Sequence, residues 1–241
     1  MTTATSTLKP AFIQTIENAV NESLDRIRAH PFILGGYNKN LTQDQAVRWV
    51  KCAGRESRSF PHIIENMITR TDNRSVIQIL QENLDDEYGH GNPNHAHFMH
   101  YLHLLDEIGV SRKEFEEYEE KAGVKLALSL AYNISMQDSQ GVSLGYMQVN
   151  EGMTCITYSS MKDAFSTYYP NIKTPFFDIH IEVDEHHVAE LYKAAHHLGE
   201  KHLDDILFGV SIGERGMAVL LDEALGIYDP CKVIPKYSTE M

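Results

Sequence analysis

Only three cysteines, Cys52, Cys155 and Cys231, occur in the 241 residues. They are odd in number and widely spaced, which excludes a disulfide framework and any CxxC metal or redox motif and leaves ordinary thiols. No apolar run reaches the ~18 residues of a spanning helix. The opening MTTATSTLKPAF also lacks the basic segment and hydrophobic stretch of a leader, so the expected location is cytoplasmic. Basic residues are scarce, with 21 Lys and Arg against 34 Asp and Glu for a formal charge of −13. That balance repels phosphate backbones and anionic lipid heads, so neither nucleic acid nor a membrane surface is expected as a partner. There is no Pro/Gly/Ser-rich linker, no internal repeat and no alternating apolar pattern of the kind a half-buried strand requires.

Apolar residues instead recur at three- and four-residue spacing nearly throughout, which predicts an all-α protein. The expected architecture is a bundle of seven helices in one domain over 1–241, with terminal tails at 1–9 and 230–241. Ile13, Ile16, Val20, Leu24 and Ile27 form the stripe of the first helix, which HPF at 30–32 is expected to end. Thr42 and Gln45 make a capping box for a long second helix running past Pro61 to about Thr71, with a kink expected at the proline. Two more helices flank the loop GHGNPN, and Ser111 with Glu114 caps a short acidic one. Helical segments then cover about 124–168, with breaks expected near QDSQG and after Tyr158, and also 175–198 and 203–228.

The chemistry lies in FFDIHIEVDEHH, residues 176–187. At ~100° per residue, positions i, i+4 and i+7 share one arc of a helix. His180, Asp184 and His187 have that spacing, and the same arc carries Phe177, Val183, Leu191, Ala194 and Leu198. Glu182, Glu185 and His186 point the other way. Burying a carboxylate and two imidazoles in an apolar stripe is costly unless they pair with one another or bind a metal.

The same wheel test selects Glu87, which lies on the face of Val76, Leu80 and Leu84, and rejects Glu82, Asp85 and Asp86. It selects His97 on the face of Tyr101, Leu104 and Ile108, with His100 at the arc's edge and His90 in the loop as alternatives. It also selects Glu151, with Leu144, Met147, Cys155 and Tyr158. Three carboxylates and three imidazoles, with no thiolate, suit two iron or manganese ions better than structural zinc.

These residues resemble a family, the haem-oxygenase-like diiron oxidases and oxygenases, which include CADD-like proteins and are related to the PqqC and TenA bundles. The likeness rests on NLDDEYGHGNPNHAH at 83–97 and on the pattern H-x3-D-x2-H at His180, Asp184 and His187, with Glu151 between them as the middle Glu. HPF and the Phe60–Pro61 pair extend it to about residues 8–228, and Asn94 stands where some members carry an additional acid. The resemblance implies a seven-helix, haem-oxygenase-like bundle without haem. It further implies Fe(II), two ions per chain or Mn in their place, held by Glu87, His97, Glu151, His180, Asp184 and His187. O2 would be the co-substrate, an external reductant would be needed, and a small molecule would be hydroxylated, desaturated, N-oxygenated or cleaved. A homodimer is admitted as an assembly.

GVSLG at 141–145 and GVSIG at 209–213 match the G-x-S-x-G sequence of a hydrolase nucleophile elbow, but that motif needs a strand-to-helix turn. Both copies lie in helical sequence, so close helix packing is the expected role. Two rival functions stand beside the diiron reading: a thiaminase-like, metal-independent hydrolase with Cys155 as a candidate nucleophile, and a non-enzymatic interaction protein with a vestigial metal site. The tight cluster His196, His197 and His202 reads as a solvated surface.

Overall fold

A computed structural model describes residues 9–228, apart from Asp138, Thr174 and the side chains of residues 182–185. Among the described residues there are ten α-helices and no strands. They are α1 (Ala11–Arg28), α2 (Pro31–Tyr37), α3 (Gln43–Arg70), α4 (Arg74–Glu87), α5 (His97–Glu107), α6 (Arg112–Glu116), α7 (Ala122–Ser135), α8 (Gln140–Tyr168), α9 (Pro175–Leu198) and α10 (Leu203–Leu225).

The all-α expectation holds, but ten helices replace the expected seven. The main omission is α2. HPF ends α1, as expected, yet it also starts a helix, because Pro31 occupies a first-turn position where its missing N–H is not needed and the His30 ring Nδ1 accepts from Phe32 N at 3.2 Å. Two other expectations fare differently. The Thr42–Gln45 capping box is present in both directions, whereas α8 runs unbroken through Tyr158 to Tyr168.

The core explains the arrangement. α8 is buried on every side from Gly141 to Glu151 and packs chiefly against α10 and α9, so its apolar residues do not form a single stripe. α3 continues through Pro61, whose ring is buried, and packs against α10, α7 and α4. The stripe of α1 is buried at Ile13, Ile16, Val20 and Ile27. Among the described residues, no helix is long and apolar enough to cross a membrane. The terminal tails lie outside the described residues, except Lys9.

The two G-x-S-x-G sequences meet each other across a helix crossing. A Cβ on Gly145 would lie 2.0 Å from the Ile206 carbonyl oxygen of α10, and one on Gly209 would lie 2.0 Å from that of Val142 on α8. These glycines let two backbones touch, and neither copy forms a strand-to-helix elbow.

Candidate metal centre

Four helix segments converge on one interior region. Glu87 is the last residue of α4 and His97 the first of α5. The connection reverses the chain through left-handed backbone at Gly89 (φ +69°), His90 (φ +50°) and Gly91 (φ +81°). Gly89 is required twice over, since a Cβ there would also meet the Ala96 nitrogen at 2.5 Å. The turn brings His97 Nδ1 to 2.9 Å from Glu87 Oε1 in a buried pair.

His180 on α9 completes this group. One donor atom each from Glu87, His97 and His180 lie within 4.8 Å of one another, and all three residues are buried. His180 Nδ1–H donates to the Phe176 carbonyl at 2.6 Å, which fixes the tautomer and leaves Nε2 as the lone-pair atom. Its ring lies edge-on to Tyr158 and against Phe176.

The other predicted residues form a second grouping. His187 Nδ1 lies 3.6 Å from Glu151 Oε2, and both side chains are about 95% buried. Glu151 Oε1 accepts from Asn83 Nδ2 at 2.6 Å. The opposite edge of His187, Nε2, lies 2.9 Å from Asp86 Oδ2, and the other oxygen of Asp86 lies 2.6 Å from His90 Nε2. Glu87, Glu151 and His180 all line one cleft, with Glu56 of α3 on its wall. Asp184 lies on α9, but its side chain is outside the described residues, as are those of Glu182 and Glu185.

The electrostatics follow this geometry. Burial, with the His97 ring beside it, pushes His180 down to about 3, so the ring is neutral at physiological pH. Burial also opposes charging of His97, but the Glu87 carboxylate outweighs it and the net shift is upward. Glu56 is pushed up to about 7, first by burial and then by the Glu87 and Glu151 carboxylates.

The wheel test missed three residues. Asp86 was assigned to the outer face, yet it is only partly exposed and reaches His187 from the edge of α4. Asn83 lies one turn before Glu87 on the selected face and was legible as a buried polar residue there. Glu56 shares the three- and four-residue spacing of Trp49, Ala53 and Phe60, so the same test applied to α3 would have found it. Of the alternatives to His97, His90 is exposed and turned to Asp86, and His100 is outside the convergent group.

A sequence profile for iron-containing redox enzymes matches residues 55–215. The chain belongs to that family. Its sequence is 25% identical over 167 residues to a 4-aminobenzoate synthase of Chlamydia muridarum, covering 67% of this chain and 68% of that protein. The fold is shared with solved structures of much lower identity. A Shewanella denitrificans domain of unknown function with a haem-oxygenase-like fold superposes with a TM-score of 0.75 at 15% identity, covering 98% of this chain and all of that one. A CADD-like protein of unknown function from Nostoc punctiforme gives 0.72 at 14% over 89% of this chain and 99% of that one. A TenA homologue from Pseudomonas syringae gives 0.74 at 13% over 90% and 93%. The expected haem-oxygenase-like, all-α fold is thereby established.

The buried donors fit that metal chemistry. They are carboxylate oxygens and imidazole nitrogens with no thiolate, the set that suits iron and manganese. The fixed His180 tautomer supplies a lone pair where a cation would need one. The Cys155 thiol lies against the Ile181 carbonyl at 3.6 Å, and likeness to TenA homologues is a likeness of fold, which adds nothing to the hydrolase alternative.

Proposed function

We propose that this protein is a non-haem diiron oxidase or oxygenase that uses O2 and an external reductant to oxidise a small molecule. The observation that carries the reading is the convergence of Glu87, His97 and His180 within 4.8 Å, beside the buried Glu151–His187 pair. Glu87, His97, Glu151, His180, Asp184 and His187 would hold two ferrous ions, with manganese as the alternative metal. Iron bound there supplies the electrons and the open coordination positions that O2 chemistry requires.

The protein's own part is positioning and exclusion of water. The Phe176 carbonyl orients His180, Asp86 orients His187 and Asn83 orients Glu151. Trp49, Tyr158, Phe176 and Phe177 pack around the His180 end as an aromatic wall. Such a wall keeps bulk water from a reactive centre. The substrate class we favour is a small amphipathic acid or amino acid, a choice to which the name of the Chlamydia relative, a synthase of a small amino-substituted acid, lends support.

Protein loaded anaerobically with ferrous iron should hold up to two ions per chain by metal analysis, with Mössbauer parameters of high-spin, O/N-ligated sites. The reduced protein should consume O2. Full iron retention by the His180→Ala, His187→Ala double variant would overturn the assignment.

A further inference from the structure

HAHFMHYLH, residues 95–103, places four histidines in nine residues, and of these only His97 joins the convergent donor group. His97, His100 and His103 follow one another at three-residue steps along α5, and each step turns about 60° around the helix axis. Burial follows that turn: His97 is buried, His100 half-buried and His103 exposed. At the inner end the ring centroids of His97 and His180 are 4.3 Å apart. At the outer end those of His100 and His103 are 6.4 Å apart, with the rings edge-on. His95 is exposed in the short 3₁₀ turn that leads into α5. Burial lowers the His100 pKa, and the neighbouring His97, His103 and His95 lower it further, so its ring is neutral and carries a lone pair at neutral pH. A file of imidazoles thus runs from the solvent to the buried donors.

The outer histidines are uncommitted. Elsewhere on the surface His62 and His90 bond to Glu65 and Asp86, and His196 stacks on Phe12. The rings of His95, His100 and His103 make no hydrogen bond among the described residues. Asp106, one step beyond His103, lies within its electrostatic reach but bonds Arg112, so imidazole nitrogens define the donor set. Side chains at i and i+3 of a helix are neighbours, and such pairs serve as ligands in helical metal sites. Imidazole suits zinc, copper, nickel or iron, and the acidic excess of the chain draws cations toward the surface. We propose that His100 and His103, with His95 beside them, form a surface acceptor site for a divalent transition-metal ion, through which iron reaches the buried donors. The acceptor site stands on the surface geometry, whereas its role as an entrance rests on the reading of Glu87, His97 and His180 as iron ligands.

The test of the acceptor uses zinc(II) as the probe, titrated calorimetrically into the full-length His180→Ala, His187→Ala double variant, in which the interior centre is disabled. One histidine-dependent ion should bind. Adding His100→Gln and His103→Gln to that background should weaken it at least about tenfold, since even a residue that only supports a ligand is worth that much. His103→Gln alone alters an exposed side chain, and gives the same reading should the paired substitution disturb folding. The entrance is tested in otherwise wild-type protein by adding ferrous iron anaerobically below stoichiometry and following its resistance to a chelator. His100→Gln, His103→Gln should reach the wild-type iron content after gel filtration, but at least about threefold more slowly, because losing the acceptor lowers the local ion concentration. Zinc binding that is absent, or unchanged by the substitutions, would overturn the acceptor site. Equal loading rates would overturn the entrance, as would a lower final iron content, which would place His100 within the interior centre. Histidine-dependent zinc binding by a protein whose wild type retains no iron would keep the surface site and remove the diiron reading.

Discussion

The ring of His187 is held from outside the candidate centre: Asp86 Oδ2 lies 2.9 Å from Nε2, which leaves Nδ1 as the edge facing Glu151. A carboxylate behind a metal-binding imidazole fixes its orientation and raises its basicity, and losing such a partner typically lowers metal affinity 10- to 100-fold. Asp86→Ala should therefore weaken iron binding by roughly that factor in chelator competition, with the helical circular dichroism unchanged and Asp86→Asn intermediate. Unaltered affinity in Asp86→Ala would mean that His187 does not hold iron. A second residue makes a pH prediction. His30 caps α2 through a neutral Nδ1, and burial, which opposes the attraction of nearby Asp222, lowers its folded pKa. A depressed pKa means that its stabilisation is present above the unfolded value of ~6.5 and fades as pH falls through the folded one. His30→Asn keeps a cap acceptor without titrating there, so its loss of thermal stability below about pH 6.5 should be shallower than that of the wild type. At this scale much of the site was legible. Glu87, His97, His180 and His187 each sat on an apolar arc, and all are buried. Asp86 was not legible, because its role depends on how α4 faces α9, a relation that periodicity within either helix does not contain.

Helix boundaries were readable where a capping pair stands in the sequence, as at Thr42 and Ser111. They were less readable where one residue serves two elements, as at His30 between α1 and α2. Glu151 shows a further limit: its arc appeared selective, but α8 is buried all round at that level, so facing inward is no distinction there. The α8–α10 crossing supplies the element-scale prediction. Gly145→Ala and Gly209→Ala would each drive a Cβ to 2.0 Å from a backbone carbonyl oxygen, and backbone cannot yield as a flexible side chain can. Each should destabilise by about 1–3 kcal/mol or more through forced separation of the two helices. Gly216, on the same α10, is the control. The nearest atom to its added Cβ is Leu130 Cδ1 at 3.9 Å, so Gly216→Ala should be neutral or stabilise by about 0.5–1 kcal/mol through helix propensity. Thermal or urea unfolding separates the two outcomes. Equal effects at Gly209 and Gly216 would count against the tight crossing.

Across the whole molecule, acidic charge is concentrated both outside and inside. The chain carries −13 overall, and Glu56, Glu87 and Glu151 line one interior cleft. Bringing carboxylates together in a water-poor interior opposes folding unless protons, hydrogen bonds or cations answer them. The hydrogen bonds from Asn83 and Asn150 answer part of this. A divalent ion would answer much more, and binding to the folded state alone raises stability by RT ln(1 + [L]/Kd), about 2.7 kcal/mol at a hundredfold excess over Kd. For a domain of this size about 2–4 °C accompanies each kcal/mol, so anaerobic ferrous iron at that excess should raise Tm by roughly 5–10 °C. Manganese at the same free concentration should raise it less, since affinity for such donors increases from Mn(II) to Fe(II). The ion-dependent increase should disappear in the His180→Ala, His187→Ala double variant. Scanning calorimetry on chelator-treated and reloaded protein measures each of these shifts. Equal stabilisation of the wild type and the double variant would place the bound ions on the acidic exterior.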